Sequence, residues 1–171
     1  MPLTLLFDLD DTLLDTNIEA FVPAYFQALS AHLAPYVSAS VMFPALIAGM
    51  RLIMDSEDPA RILQSVIDAE FYEKIGIPKQ DLVETLEEFY DHVFPQIETK
   101  TTRRPDAAPL IEWAFSKGYR VAIATDPFFP RKATYHRLRW AGLDPDQFAL
   151  VSTYENFHFS KTHAAYYAEM L

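Results

Sequence analysis

Cysteine is absent from the 171 residues, so neither a disulfide framework nor thiol chemistry is available to the chain. Glycine is scarce, four in all, and no Gly/Ser-rich tract separates one part of the sequence from another. Basic residues are the minority, 14 Lys and Arg against 24 Asp and Glu, giving a formal charge of -10 and a pI near 4.8. A surface of that sign repels phosphate backbones and anionic bilayers, so neither nucleic acid nor membrane is an expected partner. Long apolar runs are missing too. The longest, VMFPALIAGM at 41–50, falls far short of the roughly 20 residues of a membrane helix and reads as a core helix. No basic stretch followed by an apolar one opens the chain as a secretory signal would. The expectation is a soluble, cytoplasmic protein. Half of the residues are hydrophobic, which allows one domain or a small core with an inserted subdomain.

What is present begins with LLFDLDDTLLD at 5–15, an apolar run set directly against Asp8, Asp10, Asp11 and Asp15. Residues 3–7 lack helical periodicity and are stopped by acids, which predicts a strand buried on both faces. From about 16 to 104 the texture is helical. Ile18, Phe21, Val22, Tyr25, Leu29 and Leu33 recur at spacings of three and four, with Pro23 in the first turn or at a kink. A second helix over about 40–54 has Ser40 as a candidate cap, and a third is expected to start at Asp58-Pro59 and end at Gly76 and Pro78. A fourth, about 79–93, carries Leu82, Val83, Leu86, Phe89, Tyr90 and Val93 on one side. The pattern then alternates: a helix at 106–117 closed by Gly118, the strand YRVAIAT, a helix closed by Gly142, the strand FALVS, and a final helix in KTHAAYYAEML.

This alternation predicts an α/β fold, a parallel doubly wound (Rossmann-like) sheet with an inserted all-helical subdomain. The core covers 1–15 and 105–171, the helical insert 16–104. Ligand sites of such sheets lie beyond the carboxyl ends of the strands, where the aspartates sit. Asp8 and Asp10 point apart in extended chain and converge only if the chain turns as it leaves the sheet. Convergent carboxylates repel, and a divalent cation such as Mg²⁺ relieves this while taking water and phosphate oxygens as further ligands. A second reading stays open at this point: Asp10 or Asp11 followed by Thr-Leu-Leu-Asp also suits a helix N-terminus, a cap contributing about 0.5 to 2 kcal/mol.

Asp8-Leu9-Asp10-Asp11-Thr12 after an apolar strand resembles the first motif of the haloacid dehalogenase superfamily. Thr125 at the end of VAIATDP matches the second motif, Lys161 in NFHFSKTH lies where the third-motif lysine is expected, and the helical insert resembles a C1-type cap. The resemblance implies a Mg²⁺-dependent phosphatase-type hydrolase of small phosphorylated metabolites that works through an aspartyl-phosphate. Asp8 is then the nucleophile and Asp10 the acid/base, a role that contributes about 10²- to 10⁴-fold. Thr125 and Lys161 hold the phosphoryl group, Asp8 and the Asp10 carbonyl hold Mg²⁺, and Leu9, Asp11, Thr12 and Asp126 lie at the phosphate, with backbone N–H groups of residues 9–12 as an anion nest. An aspartate at position 10 favours phosphate esters, because dehalogenating and phosphonate-cleaving members have none there.

The resemblance also has departures. Thr162 stands where many relatives have proline. The sequence reaches Leu171 before the fourth strand and its acids, which predicts weaker metal binding and an open edge on the first strand: either the chain is a truncated form of a longer protein, or a second copy or complementing chain covers the edge. A non-enzymatic reading follows from the same residues: a fragment that binds metal or phosphate, or acts through oligomerisation. A response-regulator receiver fits less well, since it carries no large helical insert between its first two strands. The five histidines, His32, His92, His136, His158 and His163, have no metal-ligand spacing. Arg103 and Arg104 suit either a substrate anion or a solvated hinge, and Phe128 and Phe129 either a substrate mouth or packing under the cap.

Overall fold

The computed structural model describes residues 3–171. Its main sheet has three parallel strands, β1 (Thr4–Phe7), β4 (Arg120–Ile123) and β5 (Leu150–Val151), in the order β1-β4-β5. Phe7 pairs with Ile123, and Ile123 with Val151, so the three strands end side by side. Helix α5 (Ala107–Ser116) leads into β4, α6 (Arg131–Trp140) crosses from β4 to β5, and α7 (Ala164–Met170) follows β5. These are the βα alternations the apolar runs announced, and they make the fold α/β.

Strand β1 departs from its expected burial. Val121, Ala122 and Ile123 of the central strand are buried, whereas all four β1 residues are half-buried and Leu3 before them is 69% exposed. The reason is topological: among the described residues β1 has a strand neighbour on one side only.

A two-residue antiparallel pair, β2 (Leu14–Asp15) with β3 (Thr102–Arg103), marks where the helical segment leaves and rejoins the sheet region. Between them run α1 (Ile18–Leu33), α2 (Ala39–Met54), α3 (Leu63–Ile75) and α4 (Lys79–Glu88), then a π-helical turn Phe89–Val93 and a 3₁₀ segment Phe94–Lys100. None of the described helices is long and apolar enough to cross a membrane. Helices α2 and α3 meet at Gly49, where a Cβ would lie 2.7 Å from Ile67 Cγ1; only glycine admits that approach.

Several boundaries differ from the sequence expectation. Pro23 lies in the second turn of α1, which runs through it. Ser38, not Ser40, precedes α2, and its hydroxyl meets that of Ser40 at 3.0 Å instead of capping the helix. Asp58 caps a separate turn by accepting from the Ala60 N–H at 2.9 Å. The true start of α3 is capped from elsewhere: the Leu63 and Gln64 N–H groups donate to the carbonyls of Phe157 and Tyr154, each at 2.8 Å. Orphan donors of a helix end need acceptors of any origin, and here a distant loop supplies them. The expected helix over 79–93 is α-helical only to Glu88, the π turn following.

The helical segment is bonded to the sheet layer through an aromatic cluster. Phe94 stacks on Trp140 of α6 at 5.3 Å with 16° between planes, and Phe21 meets Phe129 edge-on at 6.1 Å. Each such pair adds about 0.5 to 1.5 kcal/mol beyond its buried area.

Candidate active site

Immediately after β1 the chain folds into a tight turn. The Leu13 and Leu14 N–H groups both donate to the Leu9 carbonyl, at 2.9 and 3.0 Å, and the Asp11 N–H donates to the Leu14 carbonyl at 2.7 Å. Asp11 sits at φ 54°, a left-handed conformation that aspartate tolerates by bonding locally. Its Oδ1 accepts the Thr16 N–H at 3.1 Å. The turn buries Leu9, Leu13 and Leu14 completely and leaves Asp8 and Asp10 partly open at the end of the sheet. An apolar–acidic alternation thus folds into a plug with acids on its outer side.

Each acid has its own set of partners. Lys161 Nζ lies 3.0 Å from Asp8 Oδ1, which also accepts the Leu9 N–H at 2.9 Å. Asp10 Oδ1 accepts the Thr16 hydroxyl at 2.6 Å and an N–H from Nη2 of Arg137. Asp126, one residue beyond Thr125, fixes the loop of Lys161 by accepting that residue's N–H at 2.9 Å. Burial holds the Asp126 carboxyl above the ordinary carboxylate value, the Lys161 N–H and ammonium opposing it and the Asp8 and Asp10 charges adding to it. Thr125 is buried, and its carbonyl accepts the hydroxyls of Ser152 at 2.6 Å and Tyr166 at 2.9 Å.

The structure therefore brings Asp8, Asp126 and Lys161 into one hydrogen-bonded group, with Asp10 two residues from Asp8 and Thr125 adjoining Asp126. The expected anion nest is narrower than residues 9–12. The Asp11 and Thr12 N–H groups are taken up inside the turn, Thr12 donating to the Leu9 carbonyl at 3.3 Å, and Leu9 donates to Asp8. Among these four, the Asp10 N–H has no partner among the described residues. The side chains of Asp11 and Thr12 lie on the exposed face of the turn.

No three His, Cys, Asp or Glu side chains among the described residues cluster as a metal site. The oxygens still free fit a hard cation. Neither Asp8 Oδ2 nor the Asp10 carbonyl accepts a hydrogen bond among the described residues. One carboxylate and one carbonyl suffice for Mg²⁺ when water and phosphate complete its octahedron.

Other candidates are placed elsewhere. Arg104 donates to the Asp11 carbonyl at 3.4 Å, and the Arg103 guanidinium lies against Gly142, filling the space a Cβ would need. His158 bonds Glu169 at 2.6 Å, while His163 meets the Met54 carbonyl at 2.8 Å, tying the lysine loop to the end of α2. Thr162, in the proline position, bonds Ser160 at 2.6 Å. Phe128 and Phe129 line a cavity beside the acids, and Phe129 also packs on Phe21 and Tyr25.

Arg137 escaped the sequence reading. It is 1% exposed, its guanidinium lying 5.5 Å from the Phe21 ring centre and 5.0 Å from that of Phe129, with Nε buried and unbonded. The available signal was its place in α6: Ala133, Arg137 and Ala141 follow one another at steps of four along the buried stripe. A cation on such a stripe demands a carboxylate.

Residues 3–171 match the family model of haloacid dehalogenase-like hydrolases. No curated protein matches the chain at a significant level. Among solved structures, the HAD-hydrolase YfnB from Bacillus subtilis bound to magnesium is 20% identical, with a TM-score of 0.50 over 99% of this chain and 72% of that one. A predicted phosphoglycolate phosphatase from Haemophilus somnus is 15% identical, with a TM-score of 0.50 over 99% and 70%. An L-2-haloacid dehalogenase from Xanthobacter autotrophicus is 20% identical, with a TM-score of 0.47 over 99% and 64%. The two structures matched at a TM-score of 0.50 support the fold alone, and the family match spans all the described residues: the chain belongs to the haloacid dehalogenase-like hydrolases.

Proposed function

We propose that the chain hydrolyses phosphoric monoesters of small molecules, with Asp8 as nucleophile and Mg²⁺ as cofactor. The observation that carries this reading is the pairing of Lys161 Nζ with Asp8 Oδ1 at 3.0 Å beside an Asp10 held by Thr16 and Arg137. An anchored second aspartate suits ester hydrolysis, which needs an acid for the leaving oxygen; carbon–halogen cleavage releases a halide and needs none.

In the proposed reaction an Asp8 oxygen attacks phosphorus as the bond to the leaving alkoxide breaks. Asp10, with Oδ1 anchored, presents Oδ2 to protonate that alkoxide. It then takes a proton from the water that attacks the aspartyl-phosphate, which releases phosphate and restores Asp8. Splitting one displacement into two lowers each barrier. Lys161 balances the charge shared by Asp8 and the phosphoryl group, and Thr125 donates its hydroxyl to a phosphoryl oxygen. Asp126 holds the Lys161 loop at the right distance. Mg²⁺, held by Asp8 and the Asp10 carbonyl, would supply charge neutralisation at the phosphoryl oxygens. Residues 16–104 act in this reading as the cap that covers the substrate.

Rapid acid quench of the chain during turnover of para-nitrophenyl phosphate, followed by peptide mass spectrometry, tests the intermediate. A phosphoryl group on the Asp8 peptide, missing in Asp8→Asn, is the expected result; turnover without it excludes the covalent route. A second reading rests on the open edge of β1 and exposed Leu3: a further copy of the chain pairs there. A monomeric mass by light scattering would rule that pairing out.

A further inference from the structure

The loop that carries Lys161 is held by two separate parts of the molecule. At the sheet end, the Asp126 carboxylate accepts the Lys161 N–H at 2.9 Å. In the helical segment, a single atom holds both flanks of the lysine: the Met54 carbonyl accepts the Ser160 hydroxyl at 3.3 Å and the His163 Nε2–H at 2.8 Å. Met54 is the last residue of α2, where carbonyls have no partner within the helix. The next two N–H groups, of Asp55 and Ser56, go to the Arg51 and Ile53 carbonyls and leave that of Met54 to the lysine loop. A carbonyl only accepts, so His163 carries its proton on Nε2. Ser160 is fully buried and spends its one hydrogen on Met54, so it accepts from the Thr162 hydroxyl 2.6 Å away. A proline at 162 would have no group for that bond.

The start of α3 engages the same loop. Its Leu63 and Gln64 N–H groups donate to the Phe157 and Tyr154 carbonyls, and Ile53, Leu63 and Phe157 share one buried apolar cluster with Ala122 of β4. We propose that Ser160 and His163 are positioning residues for Lys161, and that docking of the α2 end against them brings Lys161 Nζ to 3.0 Å from Asp8 Oδ1. The helical segment then does more than cover a substrate, because it sets the place of the charge opposite the nucleophile. Release of the Met54 carbonyl would free both flanks of Lys161 at once and leave the Asp126 bond as the tie on its backbone. Losing one neutral hydrogen bond shifts such a balance by about 2- to 10-fold. This inference rests on the phosphatase reading for what Lys161 does in turnover, whereas the placement of the lysine is measurable without turnover.

The test is brief acetylation of the folded chain, read by peptide mass spectrometry, with the exposed Lys100 and Lys117 as internal references. Acetylation needs a free amine, so Lys161 held by Asp8 should react more slowly than either reference. His163→Leu should raise the Lys161 rate by about 2- to 10-fold and leave the references unchanged. His163→Gln, whose amide N–H can still donate, should restore the slow rate. Ser160→Ala should act in the same direction as His163→Leu and carries the test if the latter does not fold. With para-nitrophenyl phosphate and Mg²⁺, His163→Leu should lower kcat by a similar factor and His163→Gln should recover it. A faster Lys161 in His163→Leu, in a chain that releases no phosphate, would retire the phosphatase reading and uphold the positioning. An unchanged Lys161 rate in His163→Leu and Ser160→Ala, whatever their thermal midpoints, or an equal rise at all three lysines, would overturn the inference.

Discussion

Arg137 of α6 donates from Nη2 to Oδ1 of Asp10, 127 residues earlier in the chain, and so fastens the loop after β1 to the crossover between β4 and β5. The arginine is fully enclosed and the aspartate half-buried, so the pair is little screened by solvent on one side and reachable on the other. One oxygen of Asp10, a residue that lines the cavity beside the site, is thereby fixed.

Because the two residues share a contact, their substitutions should not be additive. Arg137→Met keeps most of the packing against Phe21 and Phe129 but leaves Asp10 without its cation, for an expected loss of about 1 to 3 kcal/mol. A double-mutant cycle with Asp10→Asn, followed by urea unfolding, should give a coupling energy of about 0.5 to 3 kcal/mol. Additive losses would show that the two groups do not interact.

Asp126 should make stability depend on pH in a definite direction. Its folded pKa lies above the ordinary 3.8, so the native state binds the proton more tightly than the unfolded chain does. The stability linked to that proton is fully present below pH 3.8 and is lost as pH rises through the folded value. Asp126→Asn keeps an acceptor for the Lys161 N–H and removes this loss. The variant's urea midpoint, relative to wild type, should therefore rise between pH 3.8 and neutrality. A difference that stays flat over that range would refute the assignment.

Tyr166 holds the backbone of Thr125 from behind. Its buried hydroxyl lies 2.9 Å from the Thr125 carbonyl and 2.8 Å from Ser152 Oγ, and burial pushes the phenol's pKa up. Tyr166→Phe leaves these acceptors underpaired and should destabilise the chain by about 1 to 3 kcal/mol, read as a lower thermal midpoint. No measurable change would mean that the hydroxyl is dispensable to the Thr125 loop.

Lys132 of α6 reaches across to Glu87 and Asp91 of the helical segment, and all three side chains are substantially exposed. Such solvent-exposed pairs contribute little to stability. Lys132→Met should therefore shift the unfolding midpoint only slightly, and the shift should vanish near 1 M salt, where the screening length is about 3 Å. A large, salt-independent loss would instead assign Lys132 a packing role.

Much of the fold was legible because its signals are local. An apolar run closed by acids marked β1, VAIA marked β4, and Gly76, Gly118 and Gly142 marked helix ends through the left-handed backbone that they adopt. What misled was decided by distant groups. Asp58-Pro59 has the chemistry of a helix start, yet α3 begins later because the carbonyls of Tyr154 and Phe157 come within reach of Leu63 and Gln64. Arg137 could not be told from Arg131, Lys132 and Arg139 by composition; its step-of-four spacing from Ala133 and Ala141 was the one local signal, and the packing of α6 against Phe21 and Phe129 selects it. The one-sided pairing of β1 likewise belongs to the sheet order and not to residues 3–7. The motif order singled out Asp8, Thr125 and Lys161; Asp8 and Lys161 meet and Asp126 bonds the Lys161 N–H, while the contacts of Thr16 and Ser152 depend on how the turns close.

The most direct test is phosphate release from para-nitrophenyl phosphate by the chain, with and without added Mg²⁺, beside Asp8→Asn. Release that requires both the cation and Asp8 is the expected result. Equal release by Asp8→Asn, or no release by the wild-type chain with Mg²⁺, would contradict the proposal that Asp8 is the nucleophile of a phosphate-ester hydrolase.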